Sequence, residues 1–289
     1  MIMRFQRNVR GILTACLATE KYNDIDIIFS DERSLSTQLI GYAENEIETQ
    51  RSSSFDTLWD NCSISQLVAA VFFRNDPGAI DSYQSPVEFI ETVLRHRKCN
   101  PLELVGLLKK CKGRKEMLYI PQYREGHRYF RYMKEVKKEF YHMCMFTRPE
   151  LFGNVLIARV STDHRTSDMF CQWLARKNPD IVIGVIDKNI SWIGNGNLLG
   201  FESQVCEVDP SFLVDLQSGD NADKGLEDLW EIYYDSQYIS KRRNRKLASR
   251  MQPAISANFS TMAKNDRYRV EKGTGNCTLD EFSKDCENL

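Results

Sequence analysis

The chain has 289 residues, 42% of them hydrophobic and 27% charged, with a formal net charge of -1. That length allows one large domain or two modest ones with a sizeable core, and the composition is ordinary for a soluble globular protein. A charge so near zero excludes a global field drawing the chain to DNA or to a membrane, so electrostatic binding must come from local asymmetry. The asymmetry is visible: residues 24–48 are mostly acidic, whereas 95–148 and 241–250 are basic. The 9 cysteines are scattered, with no Cys-x-x-Cys pair and no Cys/His group at zinc-finger spacing. Free buried thiols in a reducing cytoplasm are the simplest reading, and neither a metal nor a cofactor is expected. No stretch approaches the ~20 apolar residues of a spanning helix, and the opening Met1-Ile-Met-Arg-Phe lacks a signal-peptide core. A cytoplasmic protein with no membrane partner is expected.

In chain order, residues 9–20 carry Val9, Ile12, Leu13, Cys16 and Leu17 at helical spacing. Residues 25–29 read as a short strand. Residues 55–74 form a second helical region, apolar nearly all round over 67–73 and therefore buried. Ser85-Pro86 with Glu88 has the capping-box pattern of a helix reaching Arg97. Asn100-Pro101 with Glu103 repeats it, placing Leu102, Val105 and Leu108 along one face. Residues 123–138 read as a strongly basic helix. Residues 139–148 and 154–160 read as strands around Pro149 and Gly153. Residues 166–177 form an amphipathic helix through Met169, Phe170, Trp173 and Leu174, with Cys171 packed on its apolar face. The run 181–186 has the length of a buried strand, and strands at 190–193 and 198–201 complete a meander. Residues 209–225 read as loop, followed by helices at 226–234, where Trp230 is a core anchor, and near 245–251. The tail 266–289 is polar and expected to fray.

This order predicts an α+β fold: a helical N-terminal and central region, a small, mostly antiparallel sheet with one packed helix, and C-terminal helices. A single domain over 1–265 accounts for it, with a subdivision conceivable near 139 between a mainly helical 1–138 and a sheet-containing 139–265.

Three groups of residues carry chemistry. Lys241, Arg242, Arg243, Arg245 and Lys246 stand almost side by side and cannot all face a core. Each phosphate neutralised by such a cation releases condensed counterion, and Asn244 can reach a base edge or a phosphate. The plainer alternative is a solvated helix face whose arginines pair with acids such as Glu227 or Asp235. The helix at 123–138 interleaves Tyr123, Tyr129, Phe130 and Tyr132 with Arg124, Arg128, Arg131 and Lys134, a mixture that suits unstacked bases and their backbone. Tyr129, Tyr132 and Met133 fit a core stripe better, which leaves Arg128 and Arg131 as the candidate phosphate contacts. His127 with Glu125, and His164 with Asp163, are candidate acid–base groups, because imidazole titrates near ~6.5. Neighbours on a strand point to opposite faces, so Asp163 is no obvious orienting partner for His164. Convergence of both histidines with Glu125 or Asp187 on one cleft would favour catalysis over structural hydrogen bonding.

Four segments carry a resemblance. They are Asn8-Val-Arg-Gly-Ile-Leu-Thr-Ala15; Arg124-Glu-Gly-His-Arg128; Val160-Ser-Thr-Asp-His164 followed by Trp173-Leu-Ala-Arg176 and 183–187; and the Leu-Trp helix with Ile239-Ser-Lys-Arg-Arg-Asn244. Together they resemble a family of bacterial and archaeal proteins described as putative DNA metabolism or repair proteins. Its genes accompany a radical-SAM protein, and its domain is also found fused to uracil-DNA-glycosylase-like domains. The family's first motif is a short strand and then a helix. This chain departs from the pattern with Thr162 in place of proline, Gln172 in place of histidine, and Met251-Gln-Pro-Ala254 in place of an ending with an aromatic pair. The resemblance implies a protein that binds DNA as an accessory to a radical-SAM or glycosylase-like partner. The alternatives are a nucleic-acid-processing enzyme using His127 and His164 with their acidic neighbours, and an adaptor whose basic face meets an acidic protein.

Overall fold

A computed structural model of the chain describes residues 2–22, 25–30, 59, 61–72, 86–112, 118, 124–216, 256, 258, 259 and 264. It divides into two compact units, Met1–Glu139 with Asp163–Thr166, and Phe140–Thr162 with Ser167–Leu289.

In the first unit, strand β1 (Ile2–Gln6) turns directly into helix α1 (Val9–Lys21), and β2 (Asp26–Ser30) returns parallel to β1 with Ile2 opposite Asp26. Asn8 makes the turn possible: its side chain accepts from Gly11 N at 2.8 Å, satisfying one of the unpaired amides of the first helical turn. Gly11 lies so close to the strand that a Cβ there would stand 2.0 Å from Gln6 O. The sequence predicts the helix and the second strand, and the family resemblance implies a short strand before the helix, but neither gives the parallel pairing.

Helix α2 (Ile64–Phe72) buries Leu67, Val68, Val71 and Phe72. Helix α3 (Pro86–Leu94) is shorter than expected. Its end tightens through Arg95 N to Thr92 O at 3.3 Å and His96 N to Val93 O at 3.0 Å, and the chain turns at His96. Helix α4 (Pro101–Lys110) starts as expected, with Asn100 Oδ1 accepting from Leu102 N at 3.0 Å. Leu102 is exposed, however, and the buried face is Leu104, Val105, Leu107 and Leu108. Glu103 makes an ion pair with Arg128.

The largest correction concerns α5 (Arg124–Phe146), which continues through the residues expected to start the sheet. Aromatic and sulfur side chains over 139–146 have strand-like composition, yet Tyr129, Tyr132, Met133, Val136, Glu139 and Met143 are all buried at helical spacing. Burial on one continuous stripe overrides local preference. Tyr129, Tyr132 and Met133 join the core with Ile12, Leu13, Phe89 and Leu104.

The second unit holds a five-stranded sheet in the order β3 (Glu150–Phe152), β4 (Val155–Val160), β5 (Val182–Asp187), β6 (Ile190–Gly194) and β7 (Val205–Val208). The β4–β5 pair is parallel and the other three are antiparallel. Helix α6 (Ser167–Lys177) makes the crossover between β4 and β5, burying Phe170, Cys171 and Leu174. The strand expected at 198–201 is a 3-10 turn, Gly196–Leu199, and the last strand lies farther along. Asn195 explains the shift. Its backbone is left-handed (φ 55°), and its Nδ2 donates to Asn178 O at 2.7 Å, Ile181 O at 2.8 Å and Ala175 O at 3.3 Å. The chain is thereby fastened to the end of α6 before it can turn back as a simple hairpin. Helix α7 (Pro210–Leu216) replaces the first part of the expected loop, and its Leu213 is buried in the core with Ile157 and Ile193.

The fold is α+β. No helix among the described residues is long and apolar enough to cross a membrane. The expected helices at 226–234 and 245–251, with Trp230 and the basic cluster Lys241, Arg242, Arg243, Asn244, Arg245 and Lys246, lie outside the described residues.

Candidate functional site

One face of α5 builds a site in the first unit. Tyr132, Glu135 and Glu139 stand at positions i, i+3 and i+7, so they rise along one line of the helix. The turn after α3 brings His96 to that line. Its ring stacks on Tyr132 with centroids 3.8 Å apart and planes at 10°, and its Nε2 lies 2.9 Å from Glu135 Oε2. Lys98 N donates to His96 Nδ1 at 3.2 Å. An acceptor at Nδ1 puts the neutral ring's proton on Nε2, from which it is donated to the Glu135 carboxylate.

His164 completes the group. Its ring centroid is 4.4 Å from that of His96, with planes at 30°, and its Nδ1 accepts from Arg97 N at 3.4 Å. The loop presenting it is held by a buried carboxylate: Glu139 accepts from Asp163 N at 2.7 Å, His164 N at 3.1 Å and the Thr166 hydroxyl at 2.7 Å. Arg165 and Arg95 add a two-way clasp, with Arg165 N donating to Arg95 O and Arg95 Nη1 donating to Arg165 O, each at 3.0 Å. Asp163 faces Arg97, with Oδ1 3.3 Å from Nη1. The several hydrogen bonds converging on the buried Glu139 hold the loop in one conformation.

The electrostatics follow from burial. Desolvation holds both imidazoles below the usual histidine range, more than the adjacent carboxylates raise them: Glu135 for His96, and Glu139 and Asp163 for His164. Glu135 is held below the usual carboxylate range by the hydrogen bond from His96. The group at neutral pH is therefore two neutral imidazoles beside an ionised carboxylate. Arg131 Nε lies 3.4 Å from Glu135 Oε1, so the two carboxylate oxygens have separate partners.

Within the second unit, Thr162 N–H donates to Asp187 Oδ1 at 3.1 Å and the Thr162 hydroxyl donates to Asp187 Oδ2. Lys188 Nζ donates to Thr162 O. Asp187 ends the apolar strand of the third resembling motif and fixes Thr162 of the same unit.

Of the sequence candidates, His164 and Asp163 lie in or beside this group. His127 and Arg128 are exposed on α5, two helical turns (about 12 Å) before Glu135. Arg128 pairs with Glu103, and Arg131 with Glu135. The side chain of Glu125 lies outside the described residues. His96, Glu135 and Glu139 were missed. His96 is separated from Glu135 and His164 by 39 and 68 positions, which leaves no local spacing to detect; the i, i+3, i+7 line on α5 was the available signal.

No curated protein matches the chain. The family model described as a domain of unknown function, DUF4130, matches residues 102–255, more than half of the chain, a span that includes α5, the 163–166 loop and the 241–246 cluster. The chain therefore belongs to the DUF4130 family of domains of unknown function.

Proposed function

We propose that this protein binds nucleic acid in DNA metabolism or repair. The observation that carries the reading is the outer face of α5. His127, Arg128, Arg131, Lys134 and Lys138 are exposed there, on the side opposite the buried Tyr129, Tyr132 and Val136. Six Lys or Arg against three Glu make α5 locally positive in a nearly neutral chain. The exposed pairs of Arg128 and Arg131 are each worth only ~0–1 kcal/mol, so phosphates can replace the carboxylates. The 241–246 cluster adds a second basic element. The resemblance to DNA metabolism proteins supplies the field of work, with a radical-SAM or uracil-DNA-glycosylase-like protein as partner.

Fluorescence anisotropy with labelled single- and double-stranded DNA, intact and uracil-containing, tests this between ~50 and ~200 mM salt. Binding is expected to weaken steeply with salt. An Arg131→Ala/Lys134→Ala/Lys138→Ala variant should flatten the log–log slope by about 2 to 3, at roughly 0.7–0.9 for each phosphate no longer neutralised. Arg242→Ala/Arg243→Ala/Arg245→Ala should act in the same direction. Absence of binding to every DNA at low salt refutes the reading.

The grouping of His96, Glu135 and His164 favours a second reading, a nucleic-acid-processing enzyme. His164 with its acidic neighbours would then work at the bound strand, and turnover of a DNA strand that the His164→Ala variant abolishes would support it over pure binding.

A further inference from the structure

We propose that His96, Glu135 and His164 form a binding site for a divalent transition-metal ion of the zinc class. The proposal goes beyond nucleic-acid binding and does not depend on it. A ring nitrogen of each histidine and a carboxylate oxygen of Glu135 lie within 4.8 Å of one another. Two imidazoles and one carboxylate suit Zn²⁺, Co²⁺ or Ni²⁺, and are a poor set for Mg²⁺ or Ca²⁺, which prefer oxygen ligands throughout.

The surroundings make this a supported site rather than a chance surface group. His96 is buried and held flat against Tyr132. The backbone of His164 is fixed by Glu139, and its loop by the Arg95–Arg165 clasp. Arg131 engages Glu135 Oε1 and so directs Oε2 toward His96. Such outer contacts orient ligands in metal sites.

Metal binding has a definite structural cost. The ion takes the place of the proton between His96 Nε2 and Glu135. That proton moves to Nδ1 of the neutral ring, displacing the amide of Lys98 from its position at 3.2 Å. If His164 also binds through Nε2, the amide of Arg97, at 3.4 Å from Nδ1, is displaced in the same way. Both hydrogen bonds are long and lie at the turn 95–98. Tetrahedral ligand bonds of ~2.0–2.2 Å put donor atoms about 3.4 Å apart, so His96 Nε2 and Glu135 Oε2, 2.9 Å apart, must also open by about 0.5 Å to admit the ion. Three protein ligands would leave a fourth position for water or a substrate oxygen, the arrangement found in catalytic rather than structural sites.

Cobalt titration of the full chain, stripped with chelator and free of DNA, tests the site through the visible ligand-field band. One equivalent of Co²⁺ is expected to bind and to be displaced by Zn²⁺ but not by Mg²⁺. His164→Ala and Glu135→Gln change partly exposed groups, and circular dichroism checks that both variants fold. Each should weaken Co²⁺ binding by at least ~30-fold, while His127→Ala, also on α5, leaves it unchanged. A missing cobalt band overturns the assignment. So does a band equal in wild type and both variants, or an intense near-ultraviolet thiolate transition, which would put the ion on cysteines. Because no DNA is present, these outcomes are separate from the anisotropy result.

Discussion

Glu139→Gln isolates the buried carboxylate that holds the His164 loop. The substitution keeps the volume of a side chain that is 4% exposed and keeps one oxygen. With that oxygen at the Oε1 place, the amide still accepts from His164 N and Thr166 Oγ1, but its NH₂ faces Asp163 N, which donates across 2.7 Å in the native protein. The opposite orientation keeps the Asp163 bond and lets the NH₂ donate to Thr166 Oγ1, but turns that NH₂ against His164 N, so either orientation leaves one backbone amide without its acceptor. A bond to a charged acceptor contributes ~1.5–3 kcal/mol and a neutral one ~0.5–1.5 kcal/mol. Losing the first and weakening two others, with part returned by no longer burying a charge, gives a net cost of about 2–3 kcal/mol. For a chain of this size that corresponds to a fall in Tm of about 3–5 °C. Thermal melts followed by circular dichroism provide the assay, and faster amide exchange at Asp163 and His164 provides a local readout. A Thr166→Val cycle should show that Glu139 and Thr166 couple by ~1 kcal/mol. A Tm within ~2 °C of wild type, with unchanged exchange at both amides, would show that Glu139 does not hold the loop.

Two further substitutions test the fold around the site. Gly11→Ala would place a methyl 2.0 Å from Gln6 O, a backbone atom that cannot move without separating α1 from β1; a loss of ~3 kcal/mol or more is expected, against ~1 kcal/mol for Asn8→Ala, which removes only the cap. Urea unfolding of both variants distinguishes them, and equal losses would count against the packing argument. Asn195→Asp retains a residue tolerant of left-handed backbone but turns a carboxylate oxygen toward the carbonyls of Ala175, Asn178 and Ile181. A cost of ~3 kcal/mol or more is expected at neutral pH, and a variant as stable as wild type would refute the three-carbonyl anchor.

Helices α1, α4 and α6 were legible because each combines an apolar stripe with a local start or stop signal, such as Asn8 or Asn100-Pro101. Strands β4, β5 and β6 were legible as short apolar runs between turn residues. The end of α5 was not, because Phe140, Tyr141 and Phe146 favour strands locally and only the spacing of Val136, Glu139 and Met143 showed the buried stripe. The course of the chain after β6 depends on what Asn195 reaches across the fold, which no local pattern encodes. The site was half visible. His164 stood inside a motif, whereas His96 gains its surroundings only when α3 ends early and turns toward α5. Glu139 fell inside a segment read as a strand, which hid its alignment with Tyr132 and Glu135.

Lys188 occupies the tight connection between β5 and β6 with φ at 55°. A left-handed backbone costs a side-chain-bearing residue ~1–2 kcal/mol that glycine would avoid. Backbone comfort alone would therefore favour glycine at this position. The ammonium group compensates by donating to Thr162 O, one residue before the Asp163-His164 element. Selection for backbone comfort at the turn and selection for a tethered Thr162 thus pull in opposite directions at a single residue. A homologue with glycine at this place must hold its Thr162 counterpart by other means.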